Sequence, residues 1–167
     1  VFHGVNLDTF VPSWFVTFNG IMVSTVAGAA VLPPIMAKAV LCWGLFIYTV
    51  TIPFMVWRLA TREVKPAAFH TQAIVLAPCS LCLVSYLNVV KEPSQIVVAI
   101  LTVCVMASLA FIVIKLPAFF AVPFAPGFAG LTFPMAIGIV ASNKAAAFFT
   151  GAGQETLGYV VKQIAGI

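Results

Sequence analysis

An all-α, membrane-spanning fold is the architecture this chain predicts, and three observations lead there. Of its 167 residues, 63% are hydrophobic and 7% are charged, against about 25% charged in soluble domains. Uncharged stretches run over 9–37, 39–57, 66–90, 93–114 and 116–143. Each is close to or above the roughly 20 apolar residues needed to cross a hydrocarbon core. These runs are continuous and do not alternate, which excludes a lipid-facing sheet. The chain is therefore read as one transmembrane domain over 1–167.

The first span is expected at about 10–31, closed by Pro33-Pro34, because proline ends a helix at or before the preceding residue. The second, 36–58, holds Pro53 and ends on the interfacial pair Trp57-Arg58. The third, 68–89, has Pro78 near its centre, and the fourth, 94–114, has no internal proline or glycine. The fifth, 123–143, carries Pro126, Gly127, Gly130, Pro134 and Gly138. A sixth helix begins near 155 and reaches Ile167. The short connections at 32–35 and 90–93 predict antiparallel hairpins.

Small, polar and helix-bending residues concentrate in the first, third and fifth spans. Examples are Asn19, Gly20, Ser24, Thr25 and Gly28, then Pro78, Ser80 and Ser85, then the glycines around Pro134. Small residues let membrane helices approach closely, and interrupted backbone is tolerated where it faces protein or water. These three spans are thus expected to face an interior, with the second and fourth facing lipid or a partner subunit. Arg58, Arg62, Lys65 and Lys115 lie on one side, against Lys38, Lys91 and Lys144 on the other. The positive-inside rule places the loops after the second and fourth spans in the cytoplasm of a multi-pass cell-membrane protein. The net charge of +4 reads as topology, with no nucleic-acid partner implied. The chain begins at Val1 and stops inside an apolar segment, so a fragment of a longer protein is expected.

Enzymatic and metal chemistry find little footing. The spans contain no paired carboxylates, no Ser/His/Asp arrangement and no glycine-rich phosphate loop. Cys79 and Cys82 form one C-x-x-C, the spacing of a redox pair or half a metal site. No second pair follows it, and packing inside a helix is the simpler reading. No cofactor is expected. Asn19 reads most simply as a hydrogen-bonding partner for a neighbouring helix. With no carboxylate inside the five full spans, proton coupling and acidic selectivity rings are disfavoured. An uncharged passage with a mild basic excess at its mouths would suit small anions.

Phe133 is the candidate gate. It precedes Pro134, which has no N–H for the Gly130 carbonyl, so a kink is expected there. Its neighbours at helical spacing are Ala129, Gly130 and Ala136. One bulky ring projecting from a small-residue surface suits a plug in a narrow passage, and equally suits ordinary packing.

Three stretches together resemble the tellurite-resistance/dicarboxylate transporter family, which includes the slow-type anion channels. Pro12-Ser13-Trp14-Phe15 with Asn19-Gly20-Ile21 and Ala27-Gly28 is similar to the family's fifth helix. Thr71-Gln72-Ala73 through Leu76-Ala77-Pro78 resembles the seventh, and Phe128 through Pro134 to Ala141-Ser142 the ninth. Val16 and Thr17 stand where the family often has proline. The resemblance covers about 10–145 and implies part of a ten-helix fold. That fold has five helical hairpins around a quasi-five-fold pore, usually in a homotrimer, with the odd-numbered helices inside. It implies Phe133 as the residue that occludes the pore. Gly130, Pro134 and Ala129 would support the kink, and Asn19, Pro78 and Ser80 are candidate pore-lining residues. Small inorganic anions or C4-dicarboxylates would be the cargo, in a channel or a malate-type carrier. A membrane thiol oxidoreductase using Cys79 and Cys82, and a non-transporting scaffold, are the readings from other classes.

Overall fold

The computed structural model describes residues 12–61, 66–121 and 129–166. The expected starts of the first and fifth spans, and the loop charges Arg62, Glu63 and Lys65, lie outside them. The described elements are seven α-helices. α1 is Trp14–Asn19, α2 Val23–Ala27, α3 Pro34–Thr61, α4 Leu76–Val89, α5 Gln95–Ala121, α6 Ala129–Gly151 and α7 Glu155–Ala165. Two 3₁₀ segments join them, Gly20–Met22 between α1 and α2, and Pro66–Val75 leading into α4.

Four stretches are long and apolar enough to cross a bilayer: Pro34–Thr61, His70–Val89, Gln95–Ala121 and Gly130–Gly151. At 1.5 Å per residue α3 and α5 are each about 40 Å long, beyond a hydrocarbon core of about 30 Å. Their ends therefore reach the headgroup layer. That is why Lys115, expected in a loop, sits inside α5, and why Lys144, expected beyond the fifth span, lies inside α6. A lysine near a helix end keeps its ammonium in the polar layer while its stem lies along apolar surface.

The expected first span is not one continuous helix. Asn19 adopts φ −100°, ψ −9°, and the chain then tightens into a 3₁₀ turn over Gly20–Met22 before resuming as α2. The third span begins as 3₁₀ and turns α-helical at Leu76, two residues before Pro78. A proline that donates no bond is tolerated in a first α turn, whose amides lack intrahelical partners. α6 runs unbroken through Pro134.

Cross-helix contacts establish the directions. Phe15 meets Tyr48, and a side chain at Gly44 would collide with Met22, so α1–α2 and α3 are antiparallel. Cys79 with Ser108 and His70 with Phe119 show the same for α4 and α5. Met22 with Cys82 and Thr25 with Ser85 keep a constant offset, and from Leu76 with Gly138 to Asn88 with Lys144 both partners advance along the chain together. α1–α2, α4 and α6 thus run parallel in one row. α3 covers the seam between α1–α2 and α4, and α5 the seam between α4 and α6.

Burial singles out the centre of the row. Of the most apolar window of His70–Val89, 72% is buried, against 39% for Gly130–Gly151, 33% for Gln95–Ala121 and 22% for Pro34–Thr61. Every residue from Leu76 to Ser85 is buried. The outer helices present Trp43, Phe46, Phe54, Trp57, Ile100 and Ile114 outward. In water this exposure would be an aggregation liability, and in a bilayer it is the solvated surface.

Candidate functional site: an apolar cavity among three inner helices

The first inner helix passes through a 3₁₀ turn, the second begins as one, and the third carries Pro134 within a continuous helix; these points lie together. A cavity of about 290 Å³ lies among Phe15, Asn19 and Gly20 on the first, Ile74, Ala77 and Pro78 on the second, and Gly130, Phe133 and Pro134 on the third. Val16, Val23 and Leu81 complete its wall. Each prolyl nitrogen lacks a hydrogen, and the residues four positions earlier, Ile74 and Gly130, also line the space. No charged side chain does, and Asn19 is its sole polar side chain among the described residues.

The ring of Phe133 stands at this cavity and is 47% exposed, while Pro134 behind it is buried. Gly130 lies opposite Ile74 of the 3₁₀ segment, and a Cβ there would lie 3.9 Å from the Ile74 side chain, an ordinary van der Waals contact. Further along α6, a Cβ on Gly138 would come within 2.9 Å of Leu76. Ala129 is the first residue of α6, and its side chain is outside the described set. Ser80 does not reach the cavity. Its hydroxyl donates to the Leu76 carbonyl at 2.7 Å, which satisfies it within α4.

Asn19 is 1% exposed, and both polar atoms of its amide are shielded. It lies beside the Cys82 thiol of α4 and interacts with it; that thiol is also 3.8 Å from Met22 Sδ and 3.9 Å from the Gly44 carbonyl.

The interhelical polar ties lie toward one end of the row, among residues whose pairing the sequence did not indicate. The Thr25 hydroxyl donates to the Met22 carbonyl at 2.7 Å and lies 2.7 Å from Ser85 Oγ, which leaves Ser85 as the donor of that second bond. Asn88 Nδ2 donates to the Thr25 carbonyl at 3.0 Å, and Lys144 Nζ donates to Asn88 Oδ1 at 2.7 Å. All three inner helices are joined by this chain. The sequence signal was present, since Thr25, Ser85, Asn88 and Lys144 fall near the same ends of their spans. Only the parallel offsets pair them.

The C-x-x-C thiols are sealed in the core. Cys79 donates to the Leu76 carbonyl at 3.1 Å and contacts Ser108 Oγ at 3.6 Å, while Cys82 faces Met22. Both are buried, and no group of three potential metal ligands occurs among the described residues.

Parallel inner helices around an uncharged cavity, backed by bulky lipid-facing helices, define a multi-pass membrane protein of the channel or transporter class. The chain matches the voltage-dependent anion channel (SLAC1) family over residues 1–162, and it belongs to that family. No curated protein and no solved structure shows significant similarity to it.

Proposed function

We infer that the cavity is part of a passage for small inorganic anions and that the Phe133 ring is its plug. The observation that carries this reading is the position of Phe133. It is a half-exposed ring at the cavity where the 3₁₀ segments of the first two inner helices come beside the proline-containing turn of α6. A passage with such walls excludes water at its narrowest point and is closed by dewetting as much as by contact. Moving one ring would open it. The neutral walls fit weak binding and fast exit.

Gly130 and Pro134 supply the room and the stiffness for that movement. Gly130 leaves space beside Ile74, and Pro134 restricts the backbone behind the ring. Asn19 and Pro78 line the passage. In this reading the loops after α3 and α5 face the cytoplasm, and the working unit is a homotrimer with one passage per subunit.

Phe133→Ala, reconstituted in liposomes, should raise chloride or nitrate flux by about tenfold or more, the change expected when a barrier falls by 1.4 kcal/mol. Flux that stays at the unsubstituted level would overturn the gate. A C4-dicarboxylate carrier is the alternative within the same fold, and counterflow distinguishes it. Trans-stimulation by malate marks a carrier, and a channel shows none. The thiol oxidoreductase reading has the weaker footing, because neither Cys79 nor Cys82 is reachable.

A further inference from the structure

The ring of Phe133 belongs to a stripe of α6 that continues past the cavity. Val140 and Lys144 follow Phe133 by seven and eleven residues, and at 3.6 residues per turn these spacings are two and three turns to within about 20°. α6 is unbroken between them, and all three residues are exposed. On α4, Asn88 follows the cavity-lining Leu81 and Ala77 by the same seven and eleven residues. The side chains of Lys144 and Asn88 therefore stand in line with the cavity, about 16 Å further along the row. They meet there. Lys144 Nζ donates to Asn88 Oδ1 at 2.7 Å, and Asn88 Nδ2 donates to the Thr25 carbonyl at 3.0 Å.

This arrangement leaves donors over. An ammonium has three N–H groups and a primary amide has two, so each keeps at least one for a further acceptor. The charge is also left over. Among the described residues no carboxylate pairs with Lys144, although Glu92 and Glu155 belong to the same end of the bundle. A lysine on an open helix face would wander, whereas its bond to Asn88 keeps the ammonium at the α4–α6 seam. A fixed positive charge at the end of a passage with low-dielectric walls focuses its field and raises the local concentration of anions. It stands outside the narrow, uncharged part, so it draws an ion in without trapping it there.

We propose that Lys144 and Asn88 form a capture site for a small monovalent anion, chloride or nitrate, at the mouth of the passage, with Lys144 Nζ and the second Nδ2–H of Asn88 as its donors. The site rests on reading the cavity as an anion passage. It lies beyond the Phe133 ring, however, and fills while the passage is shut, so binding and conduction are tested apart.

The unsubstituted protein, isotopically labelled at the lysine Cε and held in lipid nanodiscs, is titrated with sodium chloride or sodium nitrate against sodium gluconate at constant ionic strength. Signals come from Lys38, Lys65, Lys91, Lys115, Lys144 and Lys162, and Lys144 is assigned by its loss in Lys144→Gln. The expected result is a saturable shift of the Lys144 signal with both small anions, weakened by Asn88→Leu and not shared by the other lysines. A Lys144 signal that drifts like the rest overturns the site, whatever the flux, and points to a solvated lysine or one held by lipid phosphate.

In liposomes, with Phe133→Ala opening the passage, Lys144→Gln keeps an N–H for Asn88 Oδ1 and loses the charge. It should lower chloride flux about threefold or more near 0.01 M salt, where the Debye length is about 30 Å, and leave it unchanged near 1 M, where that length is about 3 Å. Lys144→Arg, which keeps the charge, should retain the flux at both. An equal loss at low and high salt, or none at either, overturns the capture role. A saturable Lys144 shift in a protein whose Phe133→Ala variant does not conduct upholds the site and removes the Phe133 gate.

Discussion

Thr25 and Ser85 show how single polar groups hold the inner helices. Both are fully buried, and their hydroxyls lie 2.7 Å apart between α2 and α4. Interhelical hydrogen bonds in membranes average about 0.6 kcal/mol and reach about 1.7. Thr25→Val and Ser85→Ala should therefore each lower stability modestly. A double-mutant cycle by reversible unfolding in detergent should give a coupling of about 1 kcal/mol, and zero coupling would mean the contact is incidental. Asn19 is equally buried and lies beside the Cys82 thiol of α4. The sequence shows that an asparagine stands in the first span. It does not show whether a neighbour meets it, because that depends on which residue of α4 comes opposite.

At the scale of elements, close approach is set by small residues at specific crossings. Met22 is fully buried and fills the space above Gly44, where an added Cβ would overlap its sulfur. Overpacking of this kind costs about 1–3 kcal/mol. Gly44→Ala should lower the thermal midpoint of the purified protein, and adding Met22→Ala should restore part of the loss. If the double variant is no better than Gly44→Ala alone, the crossing is not where the strain falls. Gly138 against Leu76 on the α4–α6 seam is the second such crossing. The helical spans were legible because long apolar runs have few alternatives. The break at Gly20–Met22 was not, since nothing in a run of apolar residues distinguishes a 3₁₀ turn from an α turn. The true reach of α5 and α6 was also hidden. Lys115 and Lys144 read as boundaries by charge, while their stems let the helices continue past them.

For the whole molecule, the row of α1–α2, α4 and α6 backed by α3 and α5 makes one side interior and the other lipid-facing. The proposed orientation places Thr61, at the end of α3, in the cytoplasm, and Lys91, in the turn after α4, outside. In a background lacking the four native cysteines, Lys91→Cys should react with a membrane-impermeant maleimide on intact cells, and Thr61→Cys should react only after permeabilisation. The reverse pattern would invert the protein in the membrane. Both positions are exposed, so access depends on the side of the membrane alone.

Composition and spacing were enough for the membrane class, the helical hairpins and the alternation of inner and outer spans. The reason is that a bilayer leaves a backbone few ways to satisfy its hydrogen bonds, and lipid tolerates few charges. Residues such as Phe133, Gly130, Pro134, Asn19 and Pro78 were nameable for the same reason, as exceptions within uniform apolar runs. Their convergence on one cavity, the exclusion of Ser80 from it, the placing of Asn19 beside Cys82 and the Thr25–Ser85–Asn88–Lys144 chain were decided by tertiary structure. Each depends on the register of parallel helices that are far apart in the chain. That register is set by packing such as Met22 against Cys82 and Leu76 on Gly138, which no periodicity along a single span encodes.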